Sequence, residues 1–375
     1  MTELVIVLIC SVILLLYIFR ISGYSLAIGK HTFQSESNSI SAELKVSLLI
    51  PFRNEAKNLP KLVLDIQTQL YPSALFEVIF INDHSEDESV AILEQVFKEA
   101  DKLSIIHLPD HLCGKKAAIS LGVKEAGGDW IIQVDADCRI PRDFIGEHAR
   151  AARNSQQTFI AGSVLLRESA DLWNQFEVLE FMSLIGSTMG SFLTGKPVMC
   201  NGANISYSKE FYLKNERELS KINSPSGDDM FLLARAKKDG LNMKYLMTDQ
   251  STVVTDTTGS PWAFLRQRIR WASKTRFYRD FDILYLAFLT FFTNVSVLGF
   301  LIYGFFDQSG FFLFGIFLLM KSLADLLLLI QTTKHFHKAR LLWYFPLVAL
   351  FYYFYLVITG VLSVIAGYRW KGRKY

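Results

Sequence analysis

Trp130-Ile-Ile-Gln-Val-Asp-Ala-Asp137 opens as a buried strand and closes on two acids. Its apolar part, residues 130–134, is too short for a helix and is rich in β-branched and aromatic side chains. Residues 46–50 (Val-Ser-Leu-Leu-Ile) and 77–81 (Glu-Val-Ile-Phe-Ile) have the same character, and a shorter candidate strand covers 103–107. Helical patterns lie between them, at 59–70 and 89–100, and a third follows at 117–126. Strands alternating with helices predict an α/β fold: a mostly parallel sheet with helices on both faces. Such sheets bind ligands beyond the carboxyl ends of their strands.

Those ends are polar here. Pro51-Phe52-Arg53-Asn54-Glu55 follows the first strand, Asn82-Asp83-His84-Ser85 the second, and Asp135-Ala136-Asp137 the third. Asp135 and Asp137 are two residues apart, so an extended backbone would aim both carboxylates to one side. Converging carboxylates call for a cation. Mg2+ or Mn2+, held by one or two acids with phosphates completing the shell, is the expected partner. Further on, Gly227-Asp228-Asp229 precedes an apolar helix at 230–237. An aspartate there can cap the helix, act as a base, or do both. Gln267, Arg270 and Trp271 stand at i, i+3 and i+4, on one helical face. An amide, a guanidinium and an indole together suit a pyrophosphate and a sugar ring. The competing reading is a basic interfacial helix with its Trp at headgroup level.

The chain has 375 residues, 51% of them hydrophobic, 14% aromatic and 20% charged, with a mean hydropathy of +0.24. The 30 Phe and 15 Tyr exclude a disordered chain. The four cysteines (Cys10, Cys113, Cys138, Cys200) form no CxxC pair, which excludes disulfide scaffolds and zinc ribbons. A net charge of +3 gives no footing for nucleic acid. Four stretches read as membrane segments: 4–19, 283–306, 311–331 and 341–368. The first lacks the basic start and small-residue cleavage site of a signal peptide, so it is expected to stay as an anchor. Lys321 and Asp325 fall inside the third, one turn apart and able to pair.

The expected organisation is an anchor at 1–28, a linker at 35–41, a catalytic domain at 40–280 including an interfacial segment at 261–280, spans within 283–368, and a basic tail at 369–375. Arg266, Arg268, Arg270, Lys274, Arg276 and Arg279 precede the second span, which places the domain on the cytosolic side of a cell inner membrane. Lys334, Lys338 and Arg340 agree. Arg369, Lys371, Arg373 and Lys374 conflict, because three spans after the domain would put them outside.

Taken in order, Pro51-x-x-Asn54-Glu55, Asp83, Gly114-Lys115, Asp135-x-Asp137, Gly202-Ala203-Asn204, Gly227-Asp228-Asp229 and Gln267-x-x-Arg270-Trp271 resemble the membrane-integrated family 2 glycosyltransferases. These include cellulose, chitin and hyaluronan synthases and ceramide glucosyltransferases. The resemblance spans residues 44 to 280 and the flanking segments, and the tail Trp370-Lys-Gly-Arg373-Lys-Tyr375 fits it. It implies a GT-A fold, a nucleotide-sugar donor (UDP-linked), a divalent metal and inversion at the anomeric carbon. Glu55 and Asp83 would then contact the nucleoside, and Lys115 and Asp135 would border the nucleotide. Asp137 would bind Mg2+ or Mn2+, and Asp229 would be the general base. Gln267, Arg270 and Trp271 would hold the pyrophosphate and the acceptor end. His84 stands where many members carry a second Asp, so nucleoside contacts are expected to differ there.

The leading expectation is transfer of one or a few sugars to a lipid or lipid-linked acceptor at the cytosolic face. The alternative is a processive synthase that secretes a polysaccharide. A silent scaffold of the same fold is disfavoured by the intact Asp137, Asp229 and Arg270.

Overall fold

The computed structural model describes residues 1–31, 44–97, 103–152, 158–222 and 227–365, and the backbone of 369–370 and 373–374. The linker at 35–41 and most of the tail lie outside the described residues. In chain order the elements are α1 (Thr2–Lys30), β1 (Val46–Phe52), α2 (Leu59–Gln67), β2 (Phe76–Asn82), α3 (Ser89–Phe97), β3 (Leu103–His107), α4 (Lys115–Glu125) and β4 (Trp130–Gln133). Then come α5 (Phe144–Ala152), β5 (Thr158–Gly162), β6 (Val164–Leu166), α6 (Leu172–Leu193), β7 (Ile205–Ser208), α7 (Lys209–Ser220), α8 (Asp228–Lys238), β8 (Asn242–Leu246) and β9 (Val253–Thr255). The chain continues with α9 (Pro261–Ala272), α10 (Phe281–Tyr303), α11 (Gln308–His335) and α12 (Phe345–Ile365).

By contacts the chain divides into two units. One comprises Thr32–Arg167 and Cys200–Asp256; the other comprises Met1–His31, Glu168–Met199 and Thr257–Tyr375. This differs from the single block expected at 40–280, because 168–199 and 257–280 group with the apolar helices. The reason lies in α6. Its 22 residues bury Phe176, Leu179, Met182, Ile185 and Met189. Gly190 lets it approach α1 so closely that a Cβ there would sit 2.3 Å from Tyr24 Cβ, the small-residue contact typical of membrane helices.

The α/β unit holds a seven-stranded sheet in the order β3-β2-β1-β4-β7-β5-β8. β7 runs antiparallel to β4 and β5; the remaining pairs are parallel. The fold is therefore the mostly parallel α/β sheet expected. Leu48, Leu49, Ile50, Val78, Phe80, Ile81, Ile131 and Ile132 are fully buried. Such runs, without polar alternation, are what a sheet covered on both faces requires. β6 and β9 form a separate parallel pair. β1 and β2 end in register, Phe52 opposite Asn82, so the polar residues after them leave the sheet at one level.

Behind the sheet, His148 on α5 is completely buried. Asn204 Nδ2 donates to the carbonyls of Ser163 and Ser251, both at 2.8 Å, which turns its Oδ1 toward His148 Nε2 at 2.9 Å. Nε2 therefore carries the proton, and Nδ1 accepts from Ser206 Oγ at 2.8 Å. Burial pushes the imidazole pKa down to about 4. In the unfolded chain it would titrate near 6.5. The contribution to stability is thus complete above about 6.5 and is lost as pH falls toward 4, about 3 kcal/mol in all. Thermal unfolding followed from pH 7 to pH 4 is expected to show this loss, and His148→Gln to remove that component of the pH dependence.

Among the described residues, the helical unit contains four helices long and apolar enough to cross a membrane: Thr2–Lys30, Phe281–Tyr303, Gln308–His335 and Ala339–Ile365. The first is longer than the expected 4–19. Arg20 does not end it, because its guanidinium lies over the rings of Tyr24 and Tyr285, at 5.9 and 5.3 Å. α1 runs antiparallel to α10, with Glu3 meeting Tyr303 at 3.2 Å. It runs alongside α11 in the same direction, with Tyr17 donating to Asp325 at 2.6 Å and Ser25 to the Leu327 carbonyl at 2.9 Å. Leu14, Val297, Phe300, Phe317 and Tyr353 form a core between them. Leu8, Leu15, Phe19, Phe292, Leu319, Leu323 and Phe351 point outward, as lipid-facing positions should. Lys321 and Asp325 form the expected pair, at 2.5 Å.

Candidate active site

The site residues of the α/β unit gather where β1, β2 and β4 end. Asp83 follows β2 directly, is buried, and accepts the Gly114 N–H at 3.1 Å. Its own carbonyl accepts from Arg53 at 3.0 Å. Glu55 sits in the turn after β1; its carboxylate accepts from Asn58 at 2.7 Å, and its N–H donates to Ser89 Oγ at 2.8 Å. His84, in the position where a second acid was noted as missing, has φ 56°. Its Nε2 donates to the Leu112 carbonyl at 2.9 Å. It ties down the loop leading to Gly114, whose φ of 91° is open to glycine alone among the common residues.

Gly114 caps α4 and hands over to Lys115, the first helical residue. Lys115 Nζ reaches Asp135 Oδ1 at 2.5 Å and the Gly202 carbonyl at 3.2 Å. Burial alone would lower the pKa of this ammonium. Asp135, Asp228 and Asp229 outweigh that effect and hold it above the usual lysine value, so it stays charged. The Gly202 N–H in turn donates to Asp229 Oδ2 at 3.0 Å. Gly202 thus bridges the lysine and the aspartate, a role the sequence motif did not reveal. A Cβ there would stand 3.0 Å from Lys115 Nζ and 3.2 Å from Asp229 Cβ. Asp228 and Asp229 form the first turn of α8, with Gly227 (φ 98°) as cap. Asp229 Oδ1 accepts from the Met230 N–H at 2.8 Å, so Asp229 holds the helix start and faces Gly202 at once.

One local expectation is corrected. β4 ends at Gln133, and Asp135-Ala136-Asp137 lies in a turn closed by Cys138 N–H donating to the Asp135 carbonyl at 3.1 Å. The carboxylates are placed by that turn and not by strand alternation. Asp135 faces Lys115; Asp137 is exposed, with the Cys138 thiol 3.5 Å from Oδ1. Among the described residues no three His, Cys, Asp or Glu side chains form a metal cluster. One or two carboxylates with open space around them are nonetheless what Mg2+ or Mn2+ takes when phosphates fill the remaining positions. The Asp135–Asp137 turn fits that donor set.

Gln267, Arg270 and Trp271 belong to the helical unit. Ser260 caps α9 by accepting the Ala263 N–H, with Pro261 at its first position. The residue that organises this helix is Arg268, counted in the sequence only as one of a basic run. It is buried at 6% exposure, and its guanidinium pairs with Glu180, itself 2% exposed. It stacks over Trp271 at 4.3 Å and Phe264 at 4.4 Å, and donates to Gln267 Oε1 at 2.5 Å. Tyr355 of α12 donates to the same Glu180 at 2.7 Å. Two of the three motif side chains are therefore held by Arg268. Glu180, in a helix otherwise mostly apolar, was the signal that could have pointed to it.

Residues 47–214 match the family described as Glycosyl transferase family 2. Those residues are a family 2 glycosyl transferase domain. The match ends before Asp229 and the α9 motif. Over 102 residues the chain is 36% identical to an undecaprenyl-phosphate 4-deoxy-4-formamido-L-arabinose transferase of Salmonella choleraesuis, covering 27% of this chain and 31% of that protein. Over 244 residues it is 25% identical to an N-acetylglucosaminyltransferase of Rhizobium meliloti, covering 63% of this chain and 56% of that protein. The chain thus spans between about a third and just over half of these relatives. A mannosyltransferase of Pyrobaculum calidifontis, PcManGT, solved in complex with GDP-Man and Mn2+, superposes over 95% of both chains with a TM-score of 0.56 at 16% identity. The family 2 domain thus carries a GT-A fold.

Proposed function

We propose that this chain transfers a sugar from a nucleotide-diphosphate donor to a lipid or lipid-linked acceptor at the cytosolic face of a membrane, with inversion. The observation that carries the reading is the Asp135–Lys115–Gly202–Asp229 chain of contacts, which joins the family 2 domain to the helix that follows it. The four apolar helices in the same polypeptide support the membrane acceptor. The match to a transferase named for undecaprenyl phosphate supports a lipid carrier.

In this reading the acceptor O–H attacks the anomeric carbon from the face opposite the diphosphate. A C–O bond forms, the anomeric C–O bond to phosphate breaks, and the nucleoside diphosphate leaves with the electron pair. The proton passes to Asp229, whose Oδ2 is kept in place by the Gly202 N–H. Glu55 and Asp83 border the nucleoside, which we expect to be uridine. Lys115 stays charged beside Asp135 and offsets negative charge on the nucleotide. Gln267, Arg270 and Trp271 take the pyrophosphate and the acceptor end. Asp137, with Asp135, would hold Mg2+ or Mn2+, which when bound neutralises charge developing on the diphosphate.

Calorimetric titration of nucleoside diphosphates, with and without Mn2+, tests this. Metal is expected to tighten binding in the wild type, and Asp137→Ala to weaken the metal-dependent part by ~10-fold or more. Binding and turnover indifferent to metal in the wild type would contradict the metal site.

A further inference from the structure

The Asp135–Asp137 turn hangs between two sheets. Its incoming limb belongs to the seven-stranded sheet, where the Val134 N–H donates to the Leu49 carbonyl of β1 at 3.2 Å. Its outgoing limb meets the small β6–β9 pair through an isolated bridge: Arg139 and Val254 exchange two backbone hydrogen bonds, at 2.8 and 3.0 Å. Asp137 lies between these anchors, two residues before the bridge, with its side chain exposed. The direction of its carboxylate is therefore set by how firmly the backbone after it is held.

Side chains give that limb a second anchor. The Arg139 guanidinium lies on Asp65 of α2 in a two-pronged contact, Nε to Oδ2 and a terminal nitrogen to Oδ1, both at 2.5 Å. The same Oδ2 accepts the next backbone N–H, that of Ile140, at 3.2 Å. One carboxylate thus fixes both the side chain and the main chain just after the turn. Gln69, four residues on, extends the grip. It donates to the Pro141 carbonyl at 2.8 Å and accepts the Ile145 N–H at 3.1 Å. At the other end of α2, Asn58 holds the Glu55 carboxylate at 2.7 Å. One helix therefore carries the Glu55 loop at its start and the Asp135–Asp137 turn at its end.

Stability does not account for the Asp65–Arg139 pair. Its side chains are 13% and 39% exposed, and an ion pair so open to water adds little to folding. What a two-pronged pair supplies is direction, since a planar fork on a carboxylate fixes orientation as well as distance. It also supplies occupancy. Arg139 stands two residues from Asp137, and a guanidinium released there becomes a rival to a divalent cation for the two carboxylates of the turn. Asp65 keeps it engaged on α2. Both effects favour metal at the turn.

We propose that Asp65 is a positioning residue: through Arg139 and the Ile140 N–H it holds the Asp135–Asp137 turn in the shape that takes a divalent cation. This rests on the metal reading given above. Partners that orient a metal's ligands typically cost about 10–100-fold in metal affinity when removed.

The test is calorimetric titration of UDP into the full chain in detergent, with Mn2+ and with EDTA, beside thermal unfolding. Mn2+ is expected to raise UDP affinity in the wild type. Asp65→Ala should cut that enhancement by about 10-fold, while UDP affinity in EDTA and the unfolding temperature stay close to wild type. Asp65→Asn keeps one acceptor oxygen and loses the charge. It should fall between the two, and it carries the test if Asp65→Ala does not fold. Arg139→Lys should keep more of the enhancement than Arg139→Ala. Asp65→Ala combined with Arg139→Ala should retain at least as much as Asp65→Ala alone, because the released guanidinium is gone. Full Mn2+ enhancement in the Asp65 variants would overturn the proposal and leave the metal reading standing. An equal loss of UDP affinity with and without Mn2+ would also overturn it, since that is the mark of a merely structural role. No Mn2+ effect in the wild type would remove the metal reading and this proposal with it.

Discussion

Asp229→Asn is expected to lower the turnover of sugar transfer by ~10²–10⁴-fold, with nucleotide affinity nearly unchanged. The amide is almost isosteric. Its single oxygen can keep only one of the two N–H bonds the carboxylate accepts, from Gly202 at 3.0 Å and from Met230 at 2.8 Å, so the start of α8 should lose about 1 kcal/mol and still hold. What it cannot do is take a proton from an acceptor hydroxyl. Steady-state kinetics beside direct nucleotide titration separates the two effects. Near-normal turnover would remove Asp229 from the role of base. A parallel loss of nucleotide affinity would point to a structural role instead.

Arg268→Leu should be the most destabilising single change in the helical unit. It strands the Glu180 carboxylate at 2% exposure, with Tyr355 left among its donors. Breaking a buried pair from one side costs about 3–5 kcal/mol. Replacing both partners with apolar residues of similar size avoids the stranded charge, so Arg268→Leu with Glu180→Leu should recover most of the lost stability. Thermal unfolding in detergent reads this directly. Activity need not return in the double variant, since Gln267 and Trp271 would still lack the guanidinium that holds them. An Arg268→Leu protein as stable as the wild type would show that the pair is solvated and not buried.

The parallel half of the sheet was legible because parallel strands buried on both faces leave unbroken apolar runs, as at Leu48–Leu49–Ile50 and Val78–Ile79–Phe80–Ile81. The strands Thr158–Gly162, Ile205–Ser208 and Asn242–Leu246 were not read. They are short, and Thr158, Ser206 and Lys244 interrupt their apolar pattern. Ser206 is satisfied by His148, 58 positions away. The site acids were visible as residues, but their placement was not. The Asp135–Asp137 turn depends on a strand ending one residue earlier than its apolar run. Arg268 was lost in the basic run 266–279 because its partner lies 88 positions earlier. Local pattern reports which face is apolar; it does not report which distant acid draws a base inside.

In the proposed reaction, sugar leaves a nucleotide donor and arrives on a membrane lipid. The most direct measurement is a size and partition analysis of the radiolabelled product. The full chain, in nanodiscs supplied with lipid extract, is incubated with a panel of labelled nucleotide sugars and Mn2+. Label is expected in the organic phase, on a lipid carrying one or a few sugars, and none there for Asp229→Asn. Label in a long water-soluble polymer would contradict it and favour a processive synthase.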